Sequence, residues 1–232
     1  MNRFPRRLFR STRRTVATER AQGPRKVPKG DIYYGEIAKG YEAERVHTEH
    51  WQQEQAQMEQ FLHDFPVRTS VLDVAVGTGR FFPLYAKREM QVTAIDSSAD
   101  MIAESRRRAS AVNLLARLDV GFADALPYDD DAFDLVVCFR FLPHIVSSSV
   151  AIAAISEISR VTRGHALLHL AVRNDGFPRD GKPEPEERLG SSLYRSELEQ
   201  LLEERGLRFV RASAPIRRKP KRAEYIWLCA SA

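Results

Sequence analysis

Residues 71–80 read Val71-Leu72-Asp73-Val74-Ala75-Val76-Gly77-Thr78-Gly79-Arg80. A short apolar run that ends in a glycine-containing turn is typical of a buried strand passing into a helix. Glycines in such a turn let the backbone approach a ligand closely, and the following helix presents backbone N–H groups. The stretch therefore predicts a nucleotide-type site at the carboxyl end of a parallel strand, although a tight turn without a ligand can have the same pattern.

Apolar strands and helices alternate on the carboxyl side of this stretch, from residue 70 to residue 207. Strands are predicted over residues 71–75, 91–95, 118–122, 133–139, 165–172, 207–212 and 225–229, and helices over residues 50–64, 81–88, 99–109, 150–161 and 193–205. Apolar strands joined by crossover helices imply a parallel sheet covered on both faces. The last two strands have no helix between them, so they form a hairpin. The expected fold class is α/β, a doubly wound, seven-stranded, mostly parallel sheet with an antiparallel last strand.

Two acidic residues follow the second and third predicted strands. Asp96 ends the second strand, and Asp124 lies in the segment Ala123-Asp124-Ala125-Leu126-Pro127 after the third. An ionised carboxylate only accepts hydrogen bonds, so Asp96 could bind both hydroxyls of a ribose. Asp124 could accept a hydrogen bond from the exocyclic amine of adenine. The pattern predicts a nucleoside-binding site.

Together these motifs resemble those of class I S-adenosylmethionine-dependent methyltransferases, in particular the group that methylates ubiquinone and menaquinone precursors. The resemblance covers residues 31–232, and its specific motifs lie between residues 71 and 145. It implies a Rossmann-like methyltransferase fold and S-adenosylmethionine as cofactor. It also implies a set of cofactor-binding residues, namely Asp73, Ala75, Gly77, Gly79, Asp96, Ser97, Met101, Asp124, Ala125 and Phe139.

The chain departs from the family pattern at two places. Ala75 stands where the first glycine of the motif is usual, and Arg163-Gly164 replaces the Pro-Gly-Gly often found before the fifth strand. Nicotinamide binding is the closest alternative, because it also needs a Gly-x-Gly turn and a ribose-binding acid. That fingerprint requires a third glycine, whose position is occupied by Phe82. The methyltransferase interpretation is therefore favoured.

Candidates for catalysis and for binding of the methyl acceptor come from position alone. His144 follows the fourth strand and could act as a general base, or it could be a loop histidine without a chemical role. Tyr33, Tyr34 and Tyr41 lie in a segment that resembles the family's amino-terminal lid, where they would shape the acceptor pocket or pack the lid on the body. Arg140 could bind an anionic acceptor or pair with an acid.

The net charge of +5 is unevenly distributed along the 232 residues. Residues 1–30 hold ten Lys or Arg and one acid, and they predict a disordered basic arm or, alternatively, an organelle transit peptide. Residues 208–222 hold seven more basic residues and no acid. The predicted loop 215–222 leaves a parallel strand at the active-site edge, so it could bind an anionic acceptor or surface, or be a solvated turn.

The organisation expected is the arm 1–30 followed by a methyltransferase domain over residues 31–232, with a helical lid over residues 31–66. Cys138 and Cys229 lie in apolar runs, which favours buried thiols and a reducing, cytoplasmic compartment. No metal-ligand spacing and no apolar run of about 20 residues is present in the sequence.

The expected function is methyl transfer to a small-molecule or lipid-like acceptor. The alternatives are an RNA or protein methyltransferase that docks through its basic segments, and a non-catalytic S-adenosylmethionine-binding module.

Overall fold

A computed structural model describes residues 45–145, 148–175 and 193–232. The predicted basic arm, together with Tyr33, Tyr34 and Tyr41 of the predicted lid, lies outside the described residues.

Eight strands form one mixed sheet in the described part of the chain. Its order is β3-β2-β1-β4-β5-β8-β6, and β7 pairs with part of β8. The strands are β1 (Ser70–Val74), β2 (Gln91–Asp96), β3 (Ala116–Val120), β4 (Phe133–Cys138), β5 (Thr162–Arg173), β6 (Leu207–Ala212), β7 (Arg217–Lys219) and β8 (Arg222–Ser231). Strand β8 lies antiparallel to β5, β6 and β7, whereas the pairs among β1 to β5 are parallel. The predicted α/β class and the antiparallel last strand are confirmed.

Helices cover both faces of the sheet, as a doubly wound fold requires. In the described residues they are α1 (Glu49–Leu62), α2 (Phe82–Lys87), α3 (Ala99–Ala111), α4 (Ser148–Val161) and α5 (Arg195–Glu203), with a 3₁₀ helix over Leu142–His144. Met58 of α1, Phe82 of α2 and Ile102 of α3 belong to the core on one face. Ile155 of α4 and Leu198 of α5 belong to the core on the other. None of the described helices is long and apolar enough to cross a membrane.

The pairing pattern corrects the predicted extents of β3 and β8 and adds a strand within a predicted loop. Strand β3 ends at Val120, two residues early, because Val120 pairs with Asp96 and the Gly121 N–H then donates to the Asp96 carbonyl at 2.9 Å. Strand β8 is longer than predicted because it is paired on both sides, which extends it into the polar residues Arg222 and Glu224. The predicted loop 215–222 contains β7, so the sheet has eight strands rather than seven.

Both cysteines are buried free thiols, as predicted. Cys138 lies in β4 and Cys229 in β8, and neither is exposed to solvent. Burial raises the pKa of the Cys229 thiol to about 12 and raises that of Cys138 as well. Uncharged thiols of this kind pack as small apolar groups in the core.

Candidate functional site

The carboxyl ends of β1, β2 and β4 meet at one edge of the sheet. Asp73 of β1 lies between Ala94 of β2 and Val137 of β4 in the parallel register. The loop after β1 is joined to β2 because the Val76 N–H donates to the Ile95 carbonyl at 3.1 Å. The predicted residues Asp73, Ala75, Gly77, Gly79 and Asp96 are therefore brought together at this edge, where open α/β sheets bind ligands.

Ala75, which replaces the usual first glycine, adopts a left-handed backbone conformation with φ of +57°. This conformation costs a non-glycine residue about 1–2 kcal/mol, because Cβ crowds the following carbonyl oxygen. The chain thus keeps the backbone shape that a glycine would give, and the departure in sequence does not change the course of the loop.

We expect Ala75→Gly to raise the free energy of unfolding by up to about 1 kcal/mol. Relief of the left-handed strain exceeds the extra entropy that glycine gives the unfolded chain, which is about 0.5–1 kcal/mol. Urea unfolding followed by circular dichroism measures the change. Ala86→Gly in α2 is the matched control and should lower stability by about 1 kcal/mol. Equal destabilisation by the two substitutions would contradict the prediction.

The two glycines of the loop have different surroundings. Both have positive φ, +57° for Gly77 and +74° for Gly79. A Cβ on Gly79 would lie 2.6 Å from ring carbons of Phe82, so Gly79 permits close packing of the loop against α2. A Cβ on Gly77 would meet no atom within 4 Å. Gly77 therefore exposes its backbone on a side where a ligand can approach it.

Asp96 is held in one orientation by backbone donors from two loops. Its Oδ2 accepts from the Gly77 N–H at 2.8 Å, and its Oδ1 accepts from the Ser98 N–H at 2.9 Å. Ser98 also caps α3, because its hydroxyl accepts from the Met101 N–H at 3.3 Å. Each carboxylate oxygen has two lone pairs, so a carboxylate can accept from several donors at once. The carboxylate joins the glycine loop to the start of α3.

Asp73 lies beneath the glycine loop and is 4% exposed. Its Oδ2 accepts a 3.0 Å hydrogen bond from the hydroxyl of Tyr85 on α2. Burial raises the pKa of Asp73 to about 7, opposed by the Tyr85 hydrogen bond and supported by the negative charge of Asp96. A cation bound near both carboxylates would favour the ionised form of Asp73.

The remaining predicted cofactor residues lie in segments that adjoin the end of β2. Ser97 directly follows Asp96, and Met101 is buried in the first turn of α3. The loop after β3 is attached to the end of β2 through the bond from Gly121 to Asp96, and it carries half-buried Asp124 and exposed Ala125. Their roles toward a nucleoside stay predictions.

Phe139 follows β4 and is part of an aromatic cluster. Its ring stacks on that of His169 at 4.6 Å between centroids, and it meets Phe81 edge-on at 5.0 Å. The Arg80 guanidinium lies 5.5 Å from the Phe139 ring. Phe139 is 7% exposed, so it borders the site with little open surface.

Glu54 of α1 connects two arginines of the site. Its Oε2 accepts from Nη1 of Arg80, which directly follows Gly79, and from Nη1 of Arg140 at 3.3 Å. Arg80 also donates to the Trp51 carbonyl at 2.8 Å. Glu54 and Arg80 are both buried, whereas Arg140 is partly exposed. Of the two roles considered for Arg140, the structure contains the pairing with an acid.

His144 ends the 3₁₀ helix after β4 and lies at the surface. Partial desolvation of the imidazole disfavours its charged form. Together with the neighbouring His169 and Arg140, this desolvation lowers the pKa of His144 to about 4. The imidazole is therefore neutral at physiological pH and has a nitrogen that can accept a proton. Its catalytic role stays a prediction.

His169 and Glu224 form a buried pair beside His144. His169 Nδ1 accepts from the Arg140 N–H at 3.2 Å, and its Nε2 lies 3.6 Å from Glu224 Oε2. Arg140 has a positive φ of +56°, so His169 stabilises a strained backbone turn. Burial alone would raise the pKa of Glu224, but His169, Arg217 and Arg222 lower it to about 2.

Sequence reasoning missed four of these side chains, namely Glu54, Arg80, His169 and Glu224. Glu54 could have been found by spacing, because it continues the buried face of Met58, Phe61 and Leu62 on α1. His169 interrupts an apolar strand, which marks a polar group at a buried position. The partners of either residue could not be identified without the fold.

Residues 71–165 match a family model described as a methyltransferase domain. The chain is 37% identical over 101 residues to a demethylmenaquinone methyltransferase of Renibacterium salmoninarum, which covers 44% of this chain and 40% of that protein. It is 38% identical over 95 residues to a phosphatidylethanolamine N-methyltransferase of Cereibacter sphaeroides, and this match covers 40% of this chain and 45% of that protein. The chain thus spans less than half the length of these curated relatives.

The fold is similar to that of a solved magnesium protoporphyrin IX methyltransferase from Synechocystis PCC 6803. The TM-score is 0.60 with 18% identity, and the match covers 79% of this chain and 80% of that one. That protein was crystallised with S-adenosylmethionine. The strand order, with antiparallel β8 inserted between β5 and β6, differs from the order 3-2-1-4-5-6 of dinucleotide-binding domains.

Proposed function

We propose that this chain, which carries a class I S-adenosylmethionine-dependent methyltransferase domain, transfers a methyl group from S-adenosylmethionine to a small-molecule or lipid-like acceptor. The family resemblance and the Rossmann-like methyltransferase fold predicted from the sequence are both confirmed. The acceptor classes named for the two relatives, a quinone precursor and a phospholipid, support the proposal.

The arrangement of Asp96 and Gly77 carries the proposal. The Asp96 carboxylate is fixed by two backbone N–H groups, and the Cβ position of Gly77 beside it is open. A fixed acceptor-only group suits a pair of ribose hydroxyls, and open glycine backbone suits close approach of an amino acid moiety. The acidic pair Asp73 and Asp96 suits a ligand with cationic centres. These residues fit S-adenosylmethionine.

The chain's own contribution to the reaction is alignment and proton acceptance. Bound S-adenosylmethionine would supply a methyl group that its sulfonium centre already activates. The strained turn at Arg140, held by His169, fixes the chain between Phe139 and the 3₁₀ helix. That helix places His144 at the carboxyl edge of β4, where it could take a proton from an acceptor hydroxyl or amine.

His144→Gln is expected to lower kcat by about 10²-fold with a smaller change in KM, because a positioned base acts in the transition state. Since the pKa of His144 is about 4, its neutral form predominates above pH 5. His144 should therefore not change its protonation state between about pH 6 and pH 8, and it should cause no inflection in the pH–rate profile of the unaltered chain over that range. An inflection near pH 6.5 that disappears in His144→Gln would contradict this.

The deciding experiment is a search for the labelled product. Purified chain is first titrated with S-adenosylmethionine by calorimetry, and then incubated with cell extract and methyl-labelled cofactor. Label is expected in the small-molecule or lipid fraction, where mass spectrometry identifies the product. Label in RNA or protein would favour the docking alternative. Folded chain without affinity for S-adenosylmethionine would overturn the proposal.

A further inference from the structure

The pleat of the sheet sorts the basic residues near the end of β5 onto two faces. Arg173 of β5, Arg222 of β8 and Lys219 of β7 are direct cross-strand neighbours. In the next row on the same face, Glu224 of β8 lies beside Arg217 of β7. Side chains two residues apart on a strand share a face, and cross-strand neighbours are about 5 Å apart at Cβ. We call Arg217, Lys219 and Arg222 the inner row.

The inner row lies on the face that carries the candidate site. His169 is four residues before Arg173 on β5, so it shares this face, and it stacks on Phe139. Ile226, its partner on β8, belongs to the core beneath α1. Arg222 and Glu224 both act electrostatically on His144. The inner row therefore adjoins the surface between β4 and β5 where His144 is found.

Arg218 is on the opposite face of the same hairpin. It pairs with Ala223, which in turn pairs with Val172, and Val172 belongs to the other core. Arg218 is exposed. The hairpin thus has arginines on both of its faces. Comparing the two faces can distinguish a directed anion site from a general positive surface.

The hairpin is attached to the end of β5 by backbone and side-chain bonds. The Asn174 N–H donates to the Lys221 carbonyl at 3.1 Å, and Asn174 Nδ2 donates to the Lys219 and Pro220 carbonyls at 3.2 and 3.0 Å. These bonds fix the turn relative to β5. Cations on a fixed backbone lose less conformational freedom on binding an anion than cations on a mobile loop.

The inner row has more positive charge than its carboxylate neutralises. Three cations, Arg217, Lys219 and Arg222, share this face with the single carboxylate of Glu224, whose low pKa keeps it ionised at neutral pH. Arg222 Nη2 lies 3.6 Å from Glu224 Oε1, which is buried and has no hydrogen-bond partner among the described residues. The contact is too long for a strong hydrogen bond. The excess charge at this edge favours an anion.

We propose that the inner row binds an anionic group, a carboxylate or a phosphate, carried by the methyl acceptor. The assignment rests on the proposed methyl-transfer function and narrows it to acidic acceptors. Arginine presents a planar set of N–H donors that matches both anions, and such charge-assisted pairs are strong when partly buried. Arg222 is half-buried and Lys219 is exposed, so an anion would enter from the Lys219 side.

The test uses three small probes of similar shape, namely phenyl phosphate, benzoate and neutral benzamide. Each is titrated by calorimetry into the full chain saturated with S-adenosylhomocysteine. Phenyl phosphate and benzoate are expected to bind at least about tenfold more tightly than benzamide, because only they can pair with the guanidinium groups. The two anions also distinguish a phosphate-bearing from a carboxylate-bearing acceptor.

Variants on the two faces of the hairpin distinguish anion binding by the inner row from non-directed attraction by the positive charge of the hairpin. Arg217→Gln and Arg222→Gln should each weaken binding of the preferred anion by about tenfold, and the control Arg218→Gln by less than about twofold. Glu224→Gln should strengthen anion binding, since it removes the competing carboxylate. This opposite sign does not depend on Arg222→Gln remaining folded.

Two results would overturn the proposal. Equal weakening by Arg217→Gln and Arg218→Gln would indicate a non-directed positive surface. No preference of the unaltered chain for either anion over benzamide would exclude a built site. Sedimentation with phosphatidylglycerol vesicles, against phosphatidylcholine vesicles, shows whether the hairpin instead binds an acidic membrane. Calorimetry with S-adenosylhomocysteine alone tests the cofactor site separately, so failure of the methyl-transfer function is recognised independently.

Discussion

Asp96→Ala is expected to weaken S-adenosylmethionine binding by about 100-fold or more, because a carboxylate that accepts from two hydroxyls contributes about 1.5–3 kcal/mol per bond. The substitution also removes the acceptor for the N–H groups of Gly77 and Ser98. The glycine loop would then lose its attachment to the start of α3. Both effects act on the cofactor site, and titration calorimetry with S-adenosylmethionine and S-adenosylhomocysteine measures their sum.

Asp96→Asn and Asp100→Asn provide the controls for this loss. Asn at position 96 keeps the shape but can offer one acceptor oxygen, so its affinity should lie between those of the unaltered chain and Asp96→Ala. Asp100 is an exposed acid in the first turn of α3, four residues further along, and its replacement should change affinity by less than about threefold. A thermal melt followed by circular dichroism verifies folding. Unchanged affinity in folded Asp96→Ala would refute the assignment of this site.

The central part of the fold was predictable because strands β1 and β4 and most of β5 are buried on both faces. A continuous apolar run bounded by polar residues, such as residues 135–139, is typical of a buried strand. The turn after β1 was predictable for a different reason. Its backbone conformation restricts residue choice, so glycines at positions 77 and 79 mark it in the sequence.

The edges of the sheet were less predictable because pairing, rather than burial, defines them. Strand β7 consists of Arg217-Arg218-Lys219, a composition that gives no strand signal and is typical of a solvated turn. Its strand geometry comes from the backbone partners that β8 offers. The same pairing determines which basic residues face the candidate site, a distinction that charge counting along the sequence could not make.

The partners of Glu54, the acid that connects α1 to the site, could not be assigned from the sequence for a further reason. Glu54 precedes Arg80 by 26 residues and Arg140 by 86, so their association depends entirely on the tertiary fold. Local patterns describe the elements that carry these residues, but the choice of partner follows from how α1 packs on the sheet.

Glu54→Ala is expected to lower the free energy of unfolding by about 3–5 kcal/mol, because it leaves the buried Arg80 guanidinium without its carboxylate. Glu54 is 5% and Arg80 is 8% exposed, so water cannot readily replace the lost partner. Urea unfolding followed by circular dichroism measures stability. Fluorescence of Trp51 gives a local readout, since the Arg80 guanidinium lies 4.8 Å from the Trp51 ring. The emission of Trp51 should move to longer wavelength as α1 loosens from the glycine loop.

Glu59→Ala is the matched control, because Glu59 lies on the same helix and pairs with Lys87 Nζ at 2.7 Å at the surface. An exposed pair contributes about 0–1 kcal/mol, so its loss should be small. Glu54→Gln should fall between the two, since an amide keeps one acceptor oxygen but no charge. If Glu54→Ala and Glu59→Ala destabilise the chain equally, the buried pair of Glu54 with Arg80 does not stabilise the packing of α1 on the glycine loop. If only the former also weakens S-adenosylhomocysteine binding, the attachment of α1 through Arg80 shapes the cofactor site.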